Sequence, residues 1–127
     1  MKVICFKGKG DTWKTTLIKR ILNEFFNIEI YMNKEHDFAI SFIYKNTLIG
    51  ICSYGDELPY VKTKIEKIIS RGCKIIICAC RTQGGLLKYI TELDKNINWI
   101  KPNGSTGKFE DSEFQQFIEI FNNLMQD

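Results

Sequence analysis

A short run near the N-terminus concentrates the residue types that bind phosphate. Gly8 and Gly10 lie in a polar loop, and a Lys-Thr-Thr sequence follows at residues 14–16. The loop comes after an apolar strand predicted over residues 2–6 and opens a predicted helix. Backbone N–H groups and the helix dipole both favour an anion at such a junction. The run therefore predicts a phosphate site.

The same run resembles the Walker A motif of the P-loop NTPases, G-x-x-x-x-G-K-[ST], in sequence and in its place between a strand and a helix. The resemblance implies that Lys14 reaches the terminal phosphates as a catalytic residue and that the Thr15 hydroxyl binds Mg²⁺. It also implies that ATP or GTP binds to the whole run, which consists of Gly8, Lys9, Gly10, Asp11, Thr12, Trp13, Lys14, Thr15 and Thr16.

Trp13 departs from the motif, because it stands where the family has its second glycine. That glycine lets the backbone pass close to the phosphates. The indole could pack against the sheet, lie over the nucleotide or block the site. A loop that binds phosphate weakly or unusually is one alternative, and a strand-turn-helix with chance lysines is another.

Lys9 adds a second resemblance, to the deviant Walker A motif of the partitioning-type ATPases, G-K-G-G-x-G-K-T-T. Lys9 precedes Lys14 by five positions, as the signature lysine of that family does. The resemblance implies that Lys9 touches phosphate across a homodimer. Asp11 and Trp13 both replace glycines of that pattern. A solvated loop lysine is the alternative interpretation of Lys9.

Two further polar residues follow apolar strands. Asp56 is predicted to be a catalytic carboxylate that holds Mg²⁺, or else the cap of the next helix. Ser53 is a weaker candidate for the metal shell. Arg81 directly follows the most apolar strand and is predicted to act on the transferred phosphate, or else to form a surface salt bridge.

Apolar periodicity supplies the elements that would position these residues. Residues 17–26 repeat at helical spacing, whereas residues 74–80 are continuously apolar, as in a central parallel strand. Residues 45–47 are short and polar and predict a β-hairpin turn. The predicted strands cover 2–6, 28–32, 37–44, 48–53, 74–80 and 97–100. Helices are predicted at 17–26, 59–70, 86–93 and from about 112, with Ser112 and Gln115 as a capping box.

This alternation predicts an α/β fold, a three-layer P-loop NTPase-like sandwich whose sheet is mainly parallel with one antiparallel hairpin. The 127 residues are predicted to form a single nucleotide-binding domain, residues 1–127. Polar residues beyond the carboxyl ends of its strands should meet at one edge.

Composition narrows the function classes. The net charge of +3 suits a local anionic ligand and does not predict nucleic-acid binding, which needs a basic stripe. Five cysteines without a Cys-x-x-Cys pair, and a single histidine, argue against zinc and predict reduced thiols in a cytoplasmic protein. No apolar run approaches the ~20 residues of a membrane span.

These observations predict a small protein that binds ATP or GTP with Mg²⁺ and hydrolyses or transfers the γ-phosphoryl group. The alternative is a module that has lost hydrolysis and acts as a regulatory or protein-interaction domain. A protein partner or a second copy of the chain belongs to either interpretation.

Overall fold

A mixed sheet of five strands lies at the centre of the part of the chain that the computed structural model describes, residues 1–10, 12–29, 37–55 and 58–126. The order of the strands across the sheet is β2-β3-β4-β1-β5. β2 and β3 pair antiparallel, and every other neighbouring pair is parallel. The predicted sheet, mainly parallel with one antiparallel hairpin, is confirmed. The strands are β1 Lys2–Lys7, β2 Ala39–Tyr44, β3 Thr47–Cys52, β4 Ile75–Cys80 and β5 Asn98–Ile100.

Helices cover both faces of the sheet, as the sequence predicts. Side chains of β1 alternate between the faces, with Ile4 and Phe6 on one and Val3 and Cys5 on the other. β4 is central, and all six of its residues are buried. α1 and α4 pack on the Phe6 face, whereas α2 and α3 pack on the Cys5 face. The helices are α1 Lys14–Arg20, α2 Leu58–Ile69, α3 Gly85–Thr91 and α4 Asp111–Met125.

A π-helical turn, Ile21–Phe25, continues α1. The Phe26 N–H donates to the Ile21 carbonyl at 3.1 Å, the five-residue spacing of a π-turn. Phe26 is buried by this turn, and its ring meets the Phe121 ring of α4 at 5.2 Å between centroids. The predicted apolar stripe over residues 17–26 is therefore helical from residue 17 to residue 25. Its first part belongs to α1, and its last part is the wider π-helical turn.

The hairpin turn places the start of β2 next to the end of β3. Lys45 and Asn46 have φ values of 48° and 64°, the left-handed pair of a two-residue type I′ turn. Register then pairs Ala39 with Cys52. Because β2 runs against β3, residues just before β2 lie at the carboxyl edge of the parallel strands.

The junction between β1 and β4 is the topological switch point of the sheet. β1 leads into α1 on one face, whereas its neighbour β4 leads into α3 on the other. The chain therefore diverges to opposite faces beyond these two strands and leaves a crevice between their loops. Ligands of open α/β sheets bind at such crevices.

Two local predictions need correction. The strand predicted over 28–32 does not form at Ile28 and Glu29, and the remaining three residues lie outside the described ones. The capping box of α4 uses Glu110 and Glu113, not Ser112 and Gln115. The buried Glu113 carboxylate accepts the Glu110 backbone N–H at 2.9 Å. Ser112 already lies inside the first turn, where its hydroxyl donates to Glu113.

Candidate functional site

A cleft of about 260 Å³ opens at the carboxyl edge of the sheet. It collects residues that follow β1, β3 and β4 together with one that precedes β2. The sequence separates these residues widely, and the strand order brings them together. Its lining consists of Gly10, Thr12, Trp13, Lys14, Thr15, Thr16, Asp37, Ser53, Gly55 and Arg81.

The loop after β1 is held by bonds at both ends. The Gly8 N–H donates to the Cys80 carbonyl at 3.2 Å, and the Thr12 carbonyl accepts the Phe109 N–H at 2.8 Å. Within the loop, the buried Thr12 hydroxyl donates to the Lys9 carbonyl at 2.7 Å. A Cβ on Gly8 would stand 2.9 Å from the Thr12 hydroxyl oxygen and 3.0 Å from the Phe109 ring. Glycine is therefore required at this position by close packing.

Lys14 turns its ammonium group into the loop. Its Nζ donates to the carbonyls of Gly8 and Lys9, each at 2.7 Å, and lies 3.3 Å from the Thr12 hydroxyl oxygen. The positive charge is therefore held inside the curve of the loop and at the wall of the cleft. An anion in the cleft would meet this charge.

Trp13 adopts the left-handed backbone conformation, with φ 67° and ψ 31°, immediately before α1. Glycine is the residue that occupies this region without strain, so Trp13 has a backbone conformation that usually favours glycine. The indole is 51% exposed and lines the cleft, which rules out packing in the core against the sheet. Lys108 Nζ lies 4.3 Å from the centroid of the indole.

Asp37 is a site residue that the sequence interpretation missed. Its Oδ1 accepts the Thr15 hydroxyl at 2.8 Å and the Ser53 hydroxyl at 3.1 Å. These bonds join the start of α1 to the residue before β2 and the residue after β3. The antiparallel hairpin is the signal that could have found Asp37, because it brings the residue before β2 beside the residue after β3.

Arg81 follows β4 and lines the cleft beside the loop. Its guanidinium lies 3.5 Å from the position that a Cβ on Gly10 would occupy. Thr16 also lines the cleft, whereas the exposed Lys9 lines a different cavity, on the other side of the loop. Asp11 and Asp56 lie outside the described residues, so their predicted roles remain predictions.

A second cavity of about 490 Å³ lies on the opposite side of the loop, where β1 and β5 end. Three of its eight lining residues are lysines, and Thr12 lines both cavities. The loop therefore lies between two cavities, each of which is lined in part by basic residues. The lining consists of Lys7, Gly8, Lys9, Thr12, Thr82, Lys101, Pro102 and Gly107.

Thiols lie directly beneath the loop. The Cys5 thiol donates to Cys80 Sγ at 3.4 Å, and both residues are buried. This hydrogen bond, with Lys7 and Lys14 nearby, lowers the pKa of Cys80, whereas burial raises the pKa of Cys5. All five cysteines are free and buried, as the sequence predicts.

Over the described residues, no three His, Cys, Asp or Glu side chains gather as a metal-binding group. Within the same part of the chain, no helix has the length and apolarity to cross a membrane. Comparison of the chain with family models, curated proteins and solved structures gives no match.

Proposed function

We propose that the cleft binds the phosphates of a nucleoside triphosphate, ATP or GTP, together with Mg²⁺, and that the protein hydrolyses or transfers the γ-phosphoryl group. The resemblance of residues 8–16 to a Walker A motif supports this proposal. The position of that loop at the topological switch point supports it independently, because the fold's crevice and the motif coincide.

The observation that carries the proposal is the hydrogen bond from the Thr15 hydroxyl to Asp37 Oδ1 at 2.8 Å. A hydroxyl and a carboxylate oxygen are hard ligands of the kind that Mg²⁺ takes. Mg²⁺ commonly uses one or two carboxylates and completes its shell with phosphate oxygens and water. A single carboxylate beside a phosphate loop therefore fits the ion, although it would not hold a metal alone.

Charge in the cleft also fits a triphosphate. Lys14 and Arg81 both line the cleft together with Thr15 and Asp37, so two cationic residues border the space proposed for the phosphates. Cations at such a site stabilise charge that develops on a transferred phosphoryl group. We assign charge stabilisation to Lys14 and Arg81 and metal binding to Thr15 and Asp37.

A binding module without turnover is the second candidate, and the contacts of Lys14 favour it. Its ammonium is engaged by two loop carbonyls at 2.7 Å, so a nucleotide must share or displace these bonds. Release of inorganic phosphate from Mg·ATP, measured at saturating nucleotide, separates the two candidates. Turnover identifies an enzyme, whereas binding without turnover identifies a regulatory module.

Asp37→Asn tests the metal assignment. Calorimetric titration of ATP should show tighter binding to the wild type with Mg²⁺ than with EDTA. Asp37→Asn should lose most of this Mg²⁺-dependent gain. We expect its affinity for ATP with Mg²⁺ to fall by roughly 10–100-fold, the loss that is common when residues around a metal are changed. Asp111→Asn is the matched control, because that exposed carboxylate pairs with Arg20 outside the cleft.

Three outcomes decide the matter. A Mg²⁺-dependent gain that persists in Asp37→Asn would remove Asp37 from the metal shell. A gain lost equally in Asp111→Asn would point to bulk charge rather than to the site. Absence of ATP and GTP binding to the wild type would reject the proposed function.

A further inference from the structure

We infer that Trp13 is a stacking platform for the nucleobase and makes the site accept purine nucleotides with little discrimination between adenine and guanine. The inference rests on the proposed function and adds to it the part of the ligand beyond the phosphates. In the resembled motif this position is a glycine, which has no side chain to offer.

The size of the cleft is the first argument. Its volume of about 260 Å³ lies below the roughly 300–1,000 Å³ of pockets that enclose a whole drug-sized ligand. The phosphates and a metal ion would occupy it, so ribose and base must lie at the rim. Among the ten described residues that line the cleft, Trp13 is the aromatic one.

The exposure and backbone of Trp13 are the second argument. A left-handed conformation at a non-glycine residue is strained, and strain of this kind is found at functional sites. Half of the indole surface faces solvent, so core packing does not account for the residue. An exposed ring beside a phosphate cleft offers the π-face on which any base can stack.

The surroundings of the ring are the third argument. Lys108 Nζ lies 4.3 Å from the indole centroid and comes from the loop that follows β5. That loop is fastened to the phosphate loop by the bond from the Phe109 N–H to the Thr12 carbonyl at 2.8 Å. The ammonium group therefore lies over one face of the indole, so a base stacks on the other face or displaces the lysine, and the positive charge suits an anionic ligand.

Comparison of ATP, GTP and inorganic tripolyphosphate tests the inference, because tripolyphosphate has the phosphates without the base. Calorimetric titrations with Mg²⁺ should show ATP and GTP binding the wild type within about fivefold of each other, since stacking is tolerant of base identity. Trp13→Ala should weaken both nucleotides by roughly 5–100-fold. Its affinity for tripolyphosphate should stay within about twofold, and Trp13→Phe should recover much of the loss.

Fluorescence supplies a second readout. In Trp99→Phe, Trp13 is the remaining tryptophan, and its emission should change with ATP but not with tripolyphosphate. An equal loss of ATP and tripolyphosphate in Trp13→Ala would overturn the inference and make Trp13 a loop-shaping residue. Unchanged ATP affinity would also overturn it, and a loss in Lys101→Ala instead would direct the base to the second cavity. If the wild type binds none of the three probes, ATP, GTP or tripolyphosphate, the proposed function itself is rejected.

Discussion

At the scale of single residues, two side chains define the site beyond its motif. Asp37 supplies a carboxylate where the Thr15 hydroxyl can reach it, at 2.8 Å. Trp13 keeps a glycine-like backbone while presenting a half-exposed indole. The motif alone predicts neither, because side-chain direction at Trp13 and the pairing of Asp37 depend on the folded loop and hairpin.

Trp13→Gly should leave the free energy of unfolding unchanged or raise it by up to about 1.5 kcal/mol. Relief of left-handed strain, about 1–2 kcal/mol, is partly offset by the larger backbone entropy of glycine, about 0.5–1 kcal/mol. Trp13→Ala keeps the strain and should be less stable than Trp13→Gly. Urea unfolding measures both variants. A loss near the 3–5 kcal/mol typical of a buried aromatic would contradict an exposed indole.

At the scale of elements, β3 packs closely against α2. Ser53, which lines the cleft, is the residue that follows β3. Gly50 of β3 faces Ile68 of α2 so closely that an added Cβ would overlap the Ile68 Cγ2 methyl and lie 3.1 Å from Cys73 Sγ. The absence of a side chain at Gly50 therefore lets α2 lie close to β3. We expect a change in this distance to move the end of β3 and, with it, Ser53.

Gly50→Ala should destabilise the fold by about 1–3 kcal/mol, because overpacking forces neighbouring side chains or backbone to shift. Gly104→Ala is the matched control, since its Cβ would meet the end of the Glu110 side chain at 3.2 Å on an exposed loop. That control should change stability by less than about 0.5 kcal/mol. Equal effects of the two substitutions in urea unfolding would contradict the close approach of α2 to β3.

At the scale of the whole molecule, the pattern of apolar residues predicts the fold well. The continuous apolar run over 74–80 correctly predicts the central strand β4, because burial on both faces removes alternation. The polar turn after Tyr44 likewise predicts the hairpin. The ends of the elements are harder to predict from the sequence. The start of α4, for example, depends on the carboxylate of a buried glutamate, Glu113, rather than on a serine cap.

The candidate site was predictable in part. Residues 8–16 are consecutive in the sequence, so a local motif is enough to predict phosphate binding there. Arg81 is a candidate from sequence because it directly follows the most apolar strand, and the structure places it in the lining of the cleft. Asp37 was not found, since its place beside Thr15 depends on strand order and on the reversal at the hairpin. The local spacing of apolar residues does not predict which strands pair with each other over long distances in the sequence.

The central claim is that the loop after β1 binds the phosphates of a nucleotide, and Lys14→Ala tests it most directly. Calorimetric titration of Mg·ATP should show a loss of roughly 1.5–3 kcal/mol in binding free energy, the value of a hydrogen bond to a charged group. Lys95→Ala, an exposed lysine outside both cavities, should bind as the wild type does. Circular dichroism should show that both variants are folded at the titration temperature. Equal affinity of Lys14→Ala and the wild type for Mg·ATP would contradict the account.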